Sequence, residues 1–144
     1  DFYPFFCLIE SMFQNSGHVN FEISKKEFMH FRVKNSVCLV HHGASADYKF
    51  KVPNDDKGRI ALVQRVLRIA EREGDYEGIK KVFFIKGDTH SYEQKDLGQF
   101  TFHTFGTPVT GDEYANALAL ESTPTQNALL LGDGKDYDTI HITF

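Results

Sequence analysis

Tryptophan is absent from the 144 residues, and cysteine and methionine occur only twice each. The two cysteines, Cys7 and Cys38, sit inside the apolar stretches FFCLI and SVCLV rather than in a CxxC or similar ligand spacing. A disulfide between them is open to the sequence, but their apolar surroundings favour two buried, reduced thiols. No stretch approaches the ~20 apolar residues that span a bilayer. No basic, apolar and small-residue succession marks the N-terminus as a signal peptide. There is no excess of positive charge either. The formal net charge of -4 argues against a surface that coats nucleic acid, and suits carboxylates partly neutralised by cations. Internal repeats and low-complexity tracts are missing too. What remains is an ordinary globular composition, 41% hydrophobic and 25% charged, whose aromatic weight falls on 14 phenylalanines and 6 tyrosines. A chain of this size is about one domain, expected to be cytoplasmic.

The periodicity reads as a mixed α/β protein. Residues 2–15 have helical spacing, with Pro4 in the first turn and Phe5, Leu8, Ile9, Met12 and Phe13 on one face. Val19–Ile23, Phe28–Val33 and Val37–Val40 read as short strands joined by polar turns. A polar loop follows over residues 41–57, and its Asp47, Tyr48 and Lys49 are placed to shape access to a site. The next helix spans residues 58–73, with Ile60, Val63, Leu67 and Ala70 as its inner stripe. Arg59, Arg65, Arg68 and Arg72 are expected on its solvated face. Val82–Ile85 (VFFI) is wholly apolar, as suits the centre of a sheet covered on both faces. Residues 99–105 alternate as a strand, residues 112–118 read as a short helix, and Ala128–Leu131 with Thr139–Phe144 close the chain as a hairpin.

Two places share one pattern, an apolar strand that ends abruptly in His, Asp and Gly. The first is Val37-Cys38-Leu39-Val40-His41-His42-Gly43, and the second is Val82-Phe83-Phe84-Ile85-Lys86-Gly87-Asp88-Thr89-His90. Strand ends in layered α/β folds collect functional side chains, because the sheet fixes them while the loops leave them open. Imidazole and carboxylate are ligands for Zn, Mn, Fe or Ni. His42, Asp88 and His90 are therefore candidate metal ligands, with His41 the candidate catalytic residue, in contact with substrate or with a metal ligand. His18, His30, His103 and His141 are read instead as packing or solvent-facing residues.

The ordered pair of strand ends resembles the last two metal motifs of the calcineurin-like metallophosphoesterases, and is most similar to phage and bacterial members. There a strand ending in a single His, often followed by Gly, precedes a strand ending in Gly-His-x-His. His42 matches the single His and His90 the final one, while Asp88 stands where the family has His. The resemblance implies the C-terminal half of an αββα sandwich, so that residues 1–144 are a single domain or half-domain. It implies two divalent ions, Mn foremost with Fe, Zn, Ni or Mg as alternatives, and hydrolysis of a phosphodiester or phosphomonoester. Nucleic acid enters only as a substrate, and no membrane is involved. None of the family's Asp-x-His, Gly-Asp-x-x-Asp and Gly-Asn-His motifs occurs ahead of these two strand ends, where the family has them. A missing N-terminal half, in the same or a separate polypeptide, is thus the expected partner, and the isolated chain is expected to be inactive. That the sequence begins at Asp1 rather than Met fits this expectation. Two rival readings stand beside it. One is a non-catalytic structural or interaction module that keeps the fold, as in a phage particle. The other is an unrelated single-metal hydrolase.

Overall fold

The computed structural model describes residues 3–23, 26, 28–45, 50–74, 76–87, 91–106, 124–133 and 136–143. Its centre is a five-stranded sheet in the order β1-β2-β5-β7-β6. The members are β1 (Met29–Val33), β2 (Ser36–Val40), β5 (Lys81–Lys86), β6 (Glu93–Leu97) and β7 (Phe100–Thr104). β2, β5 and β7 run parallel, and β1 and β6 close the two edges antiparallel. The VFFI strand is central, as its unbroken apolar run requires. Val82 and Phe84 point to one face, and Phe83 and Ile85 to the other.

The first face is covered by α2 (Asp56–Ala70), which follows the small β3–β4 ribbon of Ala44–Ser45 and Phe50–Lys51. Asp55 caps the helix, its carboxylate accepting from the Gly58 N–H at 2.8 Å. Leu62, Val63, Val66 and Ala70 pack on Val37, Leu39, Val82, Phe84 and Phe102 as one buried core. Each such valine, leucine or phenylalanine side chain contributes about 1.5–3 kcal/mol on leaving water. The buried stripe is rotated from the expected one, since Leu62 and Val66 are buried while Ile60 and Leu67 are only half-buried. The same rotation takes Arg59 out of the solvated face and buries it. Arg65, Arg68 and Arg72 do face solvent.

The second face is covered by the hairpin of β8 (Thr125–Leu131) and β9 (Tyr137–Thr143), a separate two-stranded antiparallel sheet. It is the hairpin expected from the sequence, with both strands starting earlier. Leu129 and Leu131 of β8 lie beside Phe31, Val33, Cys38, Ile85 and Phe105, around a cavity of about 270 Å³. Tyr137 of β9 stands edge-on to Phe83, with ring centroids 5.0 Å apart. Helix, mixed sheet and hairpin thus form three layers, and the architecture is mixed α/β.

Other expectations differ from the structure. Residues 19–23 form no strand. β6 was not expected, because its sequence EQKDL offers no apolar alternation; as an edge strand it needs little. α1 (Tyr3–Met12) is present with Pro4 in its first turn. Its apolar stripe is not buried, however: Phe5, Leu8, Met12 and Phe13 are exposed and Ile9 is half-buried. Cys7 and Cys38 both carry free thiols, and burial pushes the Cys38 thiol up to about 11. The helix expected over residues 112–118 lies outside the described residues. No described helix is long and apolar enough to cross a membrane.

Candidate metal centre

Because β2 and β5 are neighbouring parallel strands, their C-terminal ends lie side by side at one edge of the sheet. Val40 is paired with Ile85. The ladder continues past both strand ends: the His41 N–H donates to the Ile85 carbonyl at 3.0 Å, and the Gly87 N–H donates to the His42 carbonyl at 3.1 Å. The two motifs singled out in the sequence are therefore adjacent in space, His42 beside Gly87. Asp88 and His90, the other two candidate ligands, lie outside the described residues, as do Asp47, Tyr48 and Lys49 of the loop.

Strand alternation sends the two adjacent histidines to opposite sides. His42 is exposed, and among the described residues its ring makes no hydrogen bond or ion pair. An exposed imidazole incurs no desolvation cost before it meets a cation. His41 turns toward the helix layer, where it is 4% exposed and stacks on Phe28 with centroids 4.3 Å apart. Its Nδ1 accepts the Gly43 N–H at 2.8 Å. An imidazole that accepts through Nδ1 and is neutral carries its proton on Nε2. Gly43 has φ 123°, a backbone region open to glycine, and its carbonyl accepts the Val52 N–H at 3.3 Å. His41 and Gly43 together fix the turn that leaves His42 facing out.

The sequence reading missed an ion pair at the same edge of the sheet. The Arg59 guanidinium, in the first turn of α2, meets Glu93 at the start of β6 with contacts of 2.9 and 3.4 Å. It also donates to the Pro53 carbonyl at 3.1 Å and lies 5.5 Å from the centre of the Phe102 ring. Arg59 holds the Glu93 carboxyl below its ordinary pKa. Arg59 escaped notice because it sits among three arginines that do face solvent, and Glu93 because no strand was expected there.

No protein family matches the sequence, and no curated protein matches it significantly. Solved structures do. A double mutant of Vps29 from Entamoeba histolytica superposes with a TM-score of 0.53 at 17% identity, over 89% of this chain. A single mutant of the same protein gives 0.52 at 18% identity, again over 89%. Vps29 has the calcineurin-like metallophosphoesterase fold. The fold here is the same. At this identity the metallophosphoesterase-like likeness is one of fold alone, and the chain spans 66% of the length of the Vps29 chains it matches.

Proposed function

We propose that this chain carries the C-terminal ligands of a divalent-metal phosphoesterase site, with His42 from the end of β2 and Asp88 and His90 from the residues that follow β5 in sequence. The observation that supports this reading is the hydrogen bond from Gly87 to the His42 carbonyl, which holds an exposed imidazole beside the residue that precedes Asp88. Two imidazoles and one carboxylate suit Mn, Fe, Zn or Ni, and the carboxylate at position 88 moves the preference toward Mn or Mg. Such ions supply charge neutralisation at a phosphoryl oxygen and activation of water. The residues of this chain bind and orient. His41 acts as a positioning residue, since its Nδ1 fixes the Gly43 turn and, through it, the direction of His42. The remaining ligands come from a partner segment bearing the family's N-terminal motifs, and the substrate is a phosphodiester or phosphomonoester.

Metal binding separates this reading from a module that keeps the fold without the chemistry. Titration of the isotopically labelled chain with Mn2+ is expected to broaden the amide signals around His42 and Gly87 first, and His42→Ala should remove that selectivity while the remaining spectrum stays folded. Broadening spread evenly over surface carboxylates, or unchanged in His42→Ala, would defeat the assignment. Hydrolysis of a generic phosphodiester is expected only when the partner segment and Mn2+ are both present.

A further inference from the structure

Between the two sheets lies an imidazole that the site described above does not use. His103, on β7, is 0% exposed, and neither ring nitrogen has a hydrogen-bond partner among the described residues. Its ring is enclosed by three others, with centroids 5.8 Å from Phe83, 5.9 Å from Tyr137 and 6.2 Å from Phe105. The Tyr137 and Phe105 rings stand edge-on at about 80°. Buried polar atoms without partners are rare, and each one calls for an explanation.

Phe83 and Phe105 belong to the sheet and its continuation, and are held by its ladder. Tyr137 belongs to β9, and among the described residues no backbone ladder joins the hairpin to the five-stranded sheet. Side chains hold the hairpin down. Gln94 donates to the Tyr137 hydroxyl at 3.0 Å, and the Thr139 hydroxyl donates to Gln94 at 3.1 Å. Lys81 lies 5.4 Å from the centre of the Tyr137 ring and pairs with Asp96 at 2.9 Å. Register places Lys81 and Phe83 of β5, Thr101 and His103 of β7, and Gln94 and Asp96 of β6 on this one face. Among the described residues, the charged groups facing His103 are therefore Lys81 and Asp96, of opposite sign and paired with each other. They leave no unbalanced carboxylate to receive an imidazolium.

We propose that His103 is an acid-sensitive latch: its neutral ring lets the β8–β9 hairpin close over the sheet, and its protonation lifts the hairpin. A charged imidazolium in this enclosure has no acceptor on either nitrogen and must reach water. The sheet strands cannot part without breaking their ladder, so the wall that yields is Tyr137 with β9. Burial is the largest cause of a depressed His103 pKa, with Asp96 opposing and Lys81 assisting, and the result is about 4 against an ordinary 6.5. With the docked-state pKa below the open-state one, the closed form is favoured fully above pH 6.5, and that preference is lost as pH falls from 6.5 toward 4.

Hydrogen exchange of the hairpin amides, corrected for the intrinsic pH dependence of exchange, tests this on the whole chain. Between pH 7 and 4.5 the opening equilibrium of residues 125–131 and 137–143 is expected to rise roughly 10²-fold relative to β5 and α2. His141 shares the hairpin, but it is exposed, within 2.6 Å of the Asn127 amide and tilted against the Tyr92 ring at 4.7 Å between centroids. His141→Gln should therefore leave the response intact, while His103→Phe should flatten it. The latch is overturned by a hairpin whose protection changes less than twofold in the unmodified chain, or by an undiminished response in His103→Phe. Should that variant fail to fold, the ring signals of His103 in the unmodified chain decide. Titration below pH 5, in step with the hairpin signals, supports the latch, and titration near 6.5 with the hairpin still protected overturns it.

Discussion

Arg59 shows how far a single side chain can depart from the company it keeps. Arg65, Arg68 and Arg72 on the same helix lie in water, whereas the Arg59 guanidinium lies over the Phe102 ring and reaches Glu93. The residue works as packing as much as charge. Arg59→Ala is expected to destabilise the fold by about 1–3 kcal/mol, because it uncovers Phe102 and strands the Pro53 carbonyl. Glu93→Gln should cost less than about 1 kcal/mol, since the Glu93 side chain is 48% exposed and rehydrates easily. Chemical denaturation midpoints of the two variants check the order. The Glu93 carboxyl is held below its ordinary pKa, so its contribution is complete above the usual carboxylate range and fades as pH falls through the depressed value. The wild-type midpoint should therefore drop more than that of Glu93→Gln on acidification. The metal candidates belong to this scale as well. His42 was legible in the sequence because a glycine and a strand end flank it; its separation from His41 was not, because facing depends on strand phase.

At the scale of elements, most strong local patterns were read correctly and weak ones were not, the exception being the alternating residues 19–23, which form no strand. The VFFI run, the strand before His41, the α2 helix and the closing hairpin all stand where apolar periodicity puts them. The exact stripe of α2 escaped because Ile60, Leu62, Val63, Val66 and Leu67 form an arc wider than any one face, and only the sheet decides which part is covered. β6 escaped because an edge strand with one covered side tolerates EQKDL, held by pairs such as Lys81 with Asp96. The hairpin's approach to the sheet makes a sharper test. A Cβ built on Gly106 would stand 1.7 Å from the Thr125 hydroxyl and 3.1 Å from its Cβ. Gly106→Ala must push β8 away or force Thr125 to turn, at a cost of about 1–3 kcal/mol. Thermal unfolding of Gly106→Ala should start earlier than wild type, and adding Thr125→Ala should restore part of the loss. An unchanged unfolding temperature would mean that the two layers meet less closely at this point.

For the whole molecule, the notable surface is α1. Phe5, Phe6, Leu8 and Met12 are 50–75% exposed. Contiguous apolar surface of this kind is uncommon on a self-contained monomer. The helix was legible from its spacing and its Pro4; its exposure was not, because periodicity reports a face and never what the face meets. Leu8→Glu with Met12→Glu is expected to change stability by no more than about 0.5 kcal/mol, since neither side chain is buried. Binding of a dye specific for apolar surface should fall in the same variant. A large loss of stability would show that the helix supports the core after all.

The bond from the Gly87 amide to the His42 carbonyl has a consequence for how this chain can change. It ties two strand ends that lie more than forty residues apart in sequence, so neither can be lengthened or shortened at that point without displacing the other. A slip of β2 by a single residue would turn His42 inward against the helix layer and bring His41 out in its place. The spacing between each strand and its terminal glycine is thus a fixed dimension of the molecule, and length changes are expected to be tolerated only beyond those glycines.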